Sequence, residues 1–375
     1  MKTSKFHLSL LLVGLSFSVM LTSCENNAKV ENQQDLLPKS FRVDIPSTIS
    51  NKNFVQGGRI HARAKGDTLK GNDIYQNLGT FIAVGEASAQ IVEDILNGIR
   101  KYHIDRVLSL TYTSEDDNRT KGLIVESNVS FEGHDWNYEL TISDVDAQGQ
   151  ADGGKALQVF WNKSTPVKGI AIIKPFNCDR VKNANAGNAI FRVDYTEAGG
   201  QGYDSQMEVS IAGLPVESPL SNPYSISSLH MFAGKTGDVV DVFGNSNHPN
   251  AVFFSGAVGF DWAFVASGSD PKNIGVAEVG LPPSSLDESN RTVLLKDYSI
   301  KNVFTREINS VWPGLDQSIV NAYLTNTAAP GYFNKTGFIA GGVSPGADWD
   351  KFAARLNALS PYNPLQTNNL TINFK

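Results

Sequence analysis

The strongest periodic signal in the chain is an apolar stripe with helical spacing over residues 74–103. Its apolar positions recur at steps of three and four residues, and charged and amide side chains occupy the opposite face. This spacing predicts one long amphipathic α-helix. Asn72 or Asp73 can cap its start, and Lys101 and His103 lie near its end, where cations interact favourably with the helix dipole. The stripe consists of Ile74, Leu78, Phe81, Ile82, Gly85, Ala89, Val92, Ile95, Leu96 and Ile99.

Beyond residue 105 the period of the pattern changes to two. Apolar and polar residues alternate in successive short runs, and turn-rich segments such as 148–154 and 199–202 separate these runs. One-faced runs with short connections are typical of an antiparallel meander rather than of β–α–β units. We therefore predict one antiparallel sheet from about residue 107 to 283, covered on its apolar face by the long helix. The runs are 123–131, 136–142, 157–161, 191–195, 207–211 and 258–264.

Two shorter alternations flank this predicted core. Residues 41–45 alternate in the same way and predict a short edge strand, and residues 370–374 predict a last strand. The segment Leu281-Pro282-Pro283 breaks the chain and is the best candidate for a sub-domain boundary. The predicted fold class is therefore α+β and mainly β. A meander sheet in a half-barrel or a sandwich forms the core (59–283), and a mixed C-terminal α+β part (284–375) packs on it.

The segment 342–346 reads Gly-Val-Ser-Pro-Gly and matches the nucleophile elbow of α/β-hydrolases. Pro345 has no N–H to donate to an oxyanion, and no histidine follows His248, so a hydrolase elbow is excluded. We predict instead that Ser344 caps a C-terminal helix. The apolar stripe of that helix consists of Trp349, Phe352, Ala353, Leu356 and Leu359.

The N-terminus has the order of an export signal. Lys2 and Lys5 precede an apolar run over residues 8–21, which ends in Leu21-Thr22-Ser23-Cys24. This ending resembles the lipobox of bacterial lipoprotein precursors of the Bacteroidota type. The resemblance covers about the first 25 residues and implies that residues 1–23 are removed and that Cys24 becomes the acylated N-terminus.

A lipid such as palmitate on Cys24 would hold the protein on the outer membrane without a spanning helix. The polar residues that follow Cys24 are typical of a tether, so residues 24–58 are interpreted as a tether and the edge strand. Glu25 resembles the acidic surface-export signals of Bacteroidota lipoproteins, which favours the cell surface over the periplasmic face. The membrane is thus the one partner that the sequence predicts.

Composition narrows the function classes further. The 375 residues are 41% hydrophobic and 19% charged, which excludes a disordered chain and a polytopic membrane protein. The net charge is −6, and a chain this acidic has no general attraction for nucleic acid. Cys24 and Cys178 are the two cysteines, so acylation of Cys24 leaves Cys178 without a disulfide partner. Cys178 ends an apolar run and is interpreted as a buried structural thiol rather than a nucleophile.

One loop has the composition of a cation site. Asp144, Asp146 and Asp152 place carboxylates around Gly149, in the order found in calcium loops. Lys155 replaces the bidentate glutamate of an EF-hand, so that version of the site is excluded. A simpler calcium-binding hairpin loop and a polar β-turn both stay open. Calcium is the single cofactor that the sequence suggests.

His230 and His248 flank Asp238 and Asp241, but this group has none of the recognisable zinc spacings. Two function classes therefore stay open. The first is non-catalytic binding of an apolar ligand, a glycan or a partner protein. The order of helix and meander resembles the half-barrel of periplasmic lipoprotein carriers, which implies an apolar pocket between the 74–103 helix and the sheet. The second is an exported glycan hydrolase with paired carboxylates, drawn without a named pair from Glu126, Glu139, Asp194, Glu208 and Asp261.

Overall fold

The computed structural model describes most of the chain. The described residues are 40–50, 71–101, 107–162, 164–198, 201–216, 225–359 and 370–375. The predicted signal peptide, Cys24 and residues 24–39 of the tether lie outside these ranges. Within the described ranges, no helix combines the length and the apolar character needed to cross a bilayer.

The predicted long helix is confirmed. Helix α1 runs from Gly71–Lys101, so it begins three residues before the predicted stripe. Asn72 and Asp73 consequently lie in its first turn rather than at its cap, and the charge of Asp73 there favours the helix dipole. The apolar stripe from Ile74 to Leu96 is buried against the sheet. His103 lies outside the described residues.

The sheet is a thirteen-stranded antiparallel meander in which every strand pairs with its neighbours in the sequence. The predicted meander is therefore confirmed, and it extends past residue 283 because β12 pairs with β11. The strands are β1 Leu108–Thr113, β2 Thr120–Phe131, β3 His134–Asp144, β4 Lys155–Trp161, β5 Lys168–Ile173, β6 Ile190–Glu197, β7 Ser205–Ala212, β8 Ser228–Thr236, β9 Val239–Val252, β10 Val258–Ser269, β11 Ile274–Gly280, β12 Gly331–Asn334 and β13 Gly337–Gly341.

Among the described residues, the other α-helices are shorter than α1. They are α2 Pro175–Cys178, α3 Ile300–Val311, α4 Gln317–Tyr323 and α5 Ala347–Asn357. The predicted C-terminal helix is α5, but its cap was misplaced. Gly346 occupies the N-cap position, and the hydroxyl of Ser344 lies 3.2 Å from the backbone nitrogen of Gly346. Ser344 therefore stabilises the turn before α5 instead of its first residue.

The two faces of the sheet carry separate cores. The inner face packs against α1, where the ring of Phe81 lies 4.7 Å from that of Trp262. On the outer face, Phe232 and Phe243 stack at 4.7 Å and share a cluster with Phe352 of α5. Strands β9 to β11 are thus covered on both sides, whereas β2 and β3 keep exposed positions.

The predicted edge strand over residues 41–45 is wrong. Residues 41–50, called the strap here, contain no strand and lie between α1 and the inner face. The N–H of Phe41 donates to Glu93 Oε2 at 2.7 Å, and the N–H of Ile45 donates to Glu86 Oε1 at 3.3 Å. Side chains of α1 therefore satisfy the backbone of the strap in place of a neighbouring strand.

The predicted last strand is also absent, because residues 370–375 form no ladder. Ile372 is buried on the outer face, beside Phe160 of β4. The N–H of Lys375 donates to Gln158 Oε1 at 2.7 Å. The alternation thus identified the side chain that is buried but not the bonding of the backbone.

The predicted run 136–142 has its apolar residues buried or partly buried but not all on one face, because Trp136 lies on the opposite side of the sheet from Leu140 and Ile142. Leu140 and Ile142 belong to the inner core, whereas Trp136 packs 6.2 Å from Phe160 on the outer face. Asn128 of β2 has a φ of 57°, a left-handed conformation that interrupts the regular pleat. The tip of the β2–β3 hairpin beyond Asn128 lies on the outer face.

Candidate functional site

A polar groove of about 680 Å³ is lined by the β2–β3 hairpin and by strands β5 to β8. The alternation of β6 and β7 places their charged side chains on the outer face, while their apolar residues enter the inner core. Six side chains characterise the groove: Glu132, Trp136, Lys168, Arg192, Asp194 and Glu208.

Arg192 is held between two carboxylates. Its Nη1 and Nη2 donate to Glu132 at 2.6 and 2.8 Å, and its Nε and Nη2 donate to Asp194 at 2.7 and 2.9 Å. Such paired charge-assisted bonds fix the planar guanidinium in one orientation. The hydrogen bonds from Arg192 hold the pKa of Glu132 below its usual range.

Asp194 and Glu208 face each other across β6 and β7. Directly opposed residues of an antiparallel pair have Cβ atoms about 4.5–5.5 Å apart, so the two carboxylates share one site. Burial raises the pKa of Asp194, and the charges of Glu208 and Glu132 act in the same direction, so the pKa stays above its usual value despite Arg192. A chain of charged groups thus crosses the outer face from Glu132 to Glu208.

Glu208 continues this chain toward β8. Its Oε1 lies 2.7 Å from Nε2 of His230, which is a neighbour of Glu208 on the next strand. The groove also includes Phe232 and Gln206, and Oε1 of Gln206 has no hydrogen-bond partner within the described residues. Apolar surface, paired charges and an unused acceptor therefore converge in one groove.

The other three carboxylates proposed from the sequence lie outside the groove. Glu126 and Glu139 are opposed on β2 and β3, but Glu139 is buried and accepts a hydrogen bond from Gln158 at 2.6 Å. Asp261 is also buried and accepts a hydrogen bond from Ser284 at 2.7 Å. Of the five candidates, Asp194 and Glu208 alone line the groove together.

Asp144 of the predicted calcium loop is fully buried and has cationic partners from the chain itself. Its Oδ2 accepts hydrogen bonds from Nε of Arg119 and from Nε of Arg180, each at 2.7 Å, and Lys121 lies 3.7 Å away. Burial opposes ionisation of Asp144, but these hydrogen bonds and charges outweigh it and lower its pKa.

Asp152 has a cation of its own, because Nζ of Lys174 donates to its Oδ2 at 2.6 Å. Asp146 is exposed, and its Oδ2 lies 4.0 Å from Nη2 of Arg119. The chain thus supplies positive charge to each member of the loop. Calcium binding by Asp144, Asp146 and Asp152 stays a prediction, and an ion there would compete with these side chains.

The histidines and aspartates around residue 240 are not brought together. His248 lies under α1, with its ring 4.6 Å from that of Phe81, whereas His230 is on the outer face. Asp241 accepts two hydrogen bonds from Arg355 of α5, at 2.6 and 2.9 Å. Asp238 is exposed in the turn between β8 and β9. Within the described ranges, no three His, Cys, Asp or Glu side chains are grouped to hold a metal ion.

Cys178 is partly buried at the end of α2. Its Sγ lies 3.5 Å from the carbonyl oxygen of Ala156, and burial raises the pKa of the thiol to about 12. A thiol with so high a pKa is protonated at neutral pH and is a poor nucleophile.

Sequence reasoning missed Arg192 and Glu132. The spacing of Arg192 and Asp194, two residues apart in an alternating strand, predicts that both lie on one face. Glu132 gave no comparable signal, because it is 60 residues from Arg192 and reaches it through the turn of the β2–β3 hairpin. In the comparisons with known proteins, no protein family, no curated protein and no solved structure matches the chain.

Proposed function

We propose that the protein is an exported, lipid-anchored lipoprotein that binds a hydroxyl-rich ligand, such as a glycan, in the outer-face groove. The fixed chain of Glu132, Arg192, Asp194 and Glu208 carries this proposal. Its lone pairs and N–H groups have set directions, and sugar hydroxyls both donate and accept hydrogen bonds. Trp136 and Phe232 line the floor of the groove but are 7% and 3% exposed, so the polar side chains supply most of the contacts to a ligand.

The charge of the groove supports a neutral or cationic ligand. Four acidic residues line it against two cationic ones, so an anionic ligand would meet net repulsion. The acids are Glu132, Asp135, Asp194 and Glu208, and the cations are Lys168 and Arg192.

The space between α1 and the sheet is filled by side chains, which favours the outer-face groove over an apolar pocket under α1 as the ligand site. The strap fills part of this space with the buried side chains of Phe41, Val43 and Ile45. At Gly85 a β-carbon would collide with Met231 of β8, so helix and sheet are in close contact there. We infer a half-barrel rather than a sandwich, with the inner face curved around α1 and the strap, and this interior is filled by the chain itself.

The anchoring part of the proposal is tested at Cys24. In cells grown with a fatty-acid probe, the wild-type protein should be labelled and the Cys24→Ser variant should not, because the acylated atom is the cysteine sulfur. Equal labelling of both chains would contradict it. Labelling of the wild type by an antibody on intact cells would support the cell-surface face of the outer membrane.

The binding part is tested with variants that remove charge and keep shape. Soluble glycans are screened by calorimetry against the wild type, and the best ligand is then measured with Asp194→Asn and Glu208→Gln. We expect Kd to rise about tenfold or more, since a hydrogen bond to a charged group contributes about 1.5–3 kcal/mol.

The matched control is Glu126→Gln. Glu126 is an exposed carboxylate on the same sheet that does not line the groove, so this substitution should leave Kd unchanged. An equal loss of affinity in all three variants would show that the ligand does not bind in the groove. Ligand binding unaffected by any of them would do the same.

Glycan hydrolysis is the second candidate, and the opposition of Asp194 and Glu208 favours it. In retaining glycosidases the two carboxyl groups lie about 5–5.5 Å apart. Asp194 would have to leave Arg192 and take up a proton, which its raised pKa favours, before it could protonate the glycosidic oxygen while Glu208 attacks the anomeric carbon.

Release of reducing ends separates the two candidates. An enzyme should produce them from the bound glycan, and Asp194→Asn or Glu208→Gln should lower the rate about 10²–10⁴-fold. A wild type that binds the glycan and releases no reducing ends is a binding protein.

A further inference from the structure

An exposed apolar patch lies at the junction of α3 and α4. Trp312 is 50% exposed, Ile319 is 55% exposed, and Tyr323 is 44% exposed. The ring of Phe254, in the β9–β10 hairpin, lies 5.4 Å from that of Trp312 and 6.2 Å from that of Tyr323, so these side chains form one surface. Val311 and Leu315 extend it. We call these six residues the apolar patch.

Part of the patch lies on the amphipathic helix α4, whose opposite face is buried in the core. Val320 and Leu324 are buried in the inner core, while Ile319 and Tyr323 face outward from the same helix. The exposed side chains are therefore held in place by burial of the opposite face of α4. Apolar surfaces of this kind mark membrane or protein contacts.

The charge of the segment distinguishes these two partners. Over residues 308–334 the one charged residue is Asp316, in a chain in which 19% of residues are charged. Protein interfaces usually carry charges at their rim, which set the register of the partner. A lipid interface instead favours a surface without charges to desolvate, with tryptophan and tyrosine at the level of the headgroups.

We propose that the apolar patch docks the folded domain onto the lipid bilayer, through shallow insertion of Trp312, Ile319 and Tyr323. This rests on the proposed lipid anchor, which keeps the domain beside a membrane. The patch sets the orientation of the domain, because the acyl chain on a polar tether does not fix it.

The length of the tether allows this arrangement. The strap begins beside Glu93, and α1 begins beside Thr327, which follows α4. Glu93 and Gly71 are separated along α1 by about 33 Å at 1.5 Å per residue. The 16 residue-to-residue steps from Cys24 to Ser40 can span up to about 55 Å. An anchor at Cys24 can therefore enter the same bilayer that the patch contacts.

The experiment uses the full mature chain from residue 24 with Cys24→Ser, so that acylation cannot contribute. Sedimentation with phosphatidylcholine vesicles measures the bound fraction. This chain, which has an unchanged patch, should bind to the vesicles. Trp312→Ser combined with Ile319→Ser should lower its partition coefficient about tenfold or more. The matched control is Val181→Ser combined with Val343→Ser, two apolar residues that are 73% and 71% exposed outside the patch. It should bind like the wild type, and melting curves should show that both double variants are folded.

Brominated lipids locate the contact. They should quench tryptophan fluorescence of the wild type, and Trp312→Phe should abolish the quenching while changing binding less than about twofold. Binding should also be equal in low and high salt, because no ion pair contributes.

Several outcomes would overturn the proposal. They are a wild type that stays in the supernatant, quenching that persists in Trp312→Phe, and an equal loss of binding in the control. A dimer in size-exclusion chromatography that dissociates in Trp312→Ser would show that the patch binds a second copy of the chain instead of lipid. Failure of the anchor is a separate result, because it appears in fatty-acid labelling and not in vesicle binding by the unacylated chain.

Discussion

The ring of Phe41 lies directly against Gly169 of β5, where a side chain would occupy the same space. Glycine at this position lets the strap approach the backbone of the sheet. Tyr195 of β6 completes the seat, with its ring stacked on that of Phe41 at 5.8 Å. The strap is therefore held by the shape of the inner face as well as by the carboxylates of α1.

Gly169→Ala should destabilise the fold by about 1–3 kcal/mol, because the added methyl group overpacks the seat of Phe41. A β-carbon there also lies 2.9 Å from the backbone oxygen of Phe160, which cannot move aside freely. Urea unfolding measures the change. Gly187→Ala is the control, since nothing lies within 4 Å of its β-carbon, and it should change stability by less than about 0.5 kcal/mol. Equal stability of the two variants would contradict the close contact between Phe41 and Gly169.

Trp136→Ala should lower the free energy of unfolding by about 3–5 kcal/mol, as for other buried aromatic residues. Trp136 is 7% exposed and packs beside Phe160. Asn137→Ala should cost little, because the side chain of Asn137 points away from this contact and its residue is exposed. Thermal melts of the two variants compare the sites. The same melting temperature for both would show that the orientation of β3 is wrong.

Asp144→Asn should destabilise the protein at neutral pH by about 3–5 kcal/mol, because Arg119 and Arg180 lose a buried partner. The pKa of Asp144 is lowered in the folded state from an ordinary value of 3.8. Its contribution is therefore fully present above pH 3.8 and is lost as the pH falls through the lower folded value. Urea unfolding at several pH values should show the wild type and the variant converging below about pH 3.8.

The matched control for Asp144→Asn is Asp146→Asn. The side chain of Asp146 is 55% exposed and its separation from Arg119 is long, so the substitution should cost less than about 1 kcal/mol. A difference between wild type and Asp144→Asn that stays constant down to low pH would show that the ion pairs are not its cause.

Cys178 should react slowly with a disulfide reagent at pH 8 in the folded protein. Burial raises its pKa to about 12, so about 10⁻⁴ of the thiol is ionised at that pH. We expect a rate about a hundredfold below that of the same chain unfolded in guanidinium, measured with Cys24→Ser so that one thiol is present. Equal rates in the two states would contradict the buried thiol.

The sequence pattern predicted strands with one exposed face, such as β2, and also β4 and β10, but it missed the short alternating strands β1 and β13. β2 alternates clearly because residues such as Glu126 stay exposed beside Val125 and Leu123. β11 was missed because all of its residues are buried, between the inner core and α5, and a strand covered on both sides has no period of two. The strap was misread because alternation reports which side chains are buried and not which backbone groups pair.

The groove was predictable only in part. Asp194 and Glu208 were both among the candidate carboxylates, but their opposition depends on the register of β6 and β7, which the pattern of residues does not specify. Glu132 joins them across 60 residues of chain through the bend at Asn128. Local periodicity carries no information about such distant contacts.

The order of strands along the sheet has a consequence for folding kinetics. Each strand pairs with the next one in the chain, so the ladder can grow stepwise, and most of its loops are short, the longest being the 50 residues between β11 and β12. The strap forms contacts of much longer range, because the N–H of Val43 points to Sδ of Met207, 164 residues later. A chain delivered from its N-terminus thus presents the strap long before β7 has emerged. We therefore expect docking of the strap to be a slow, long-range step of folding, and residues 41–50 to be among the last to become ordered.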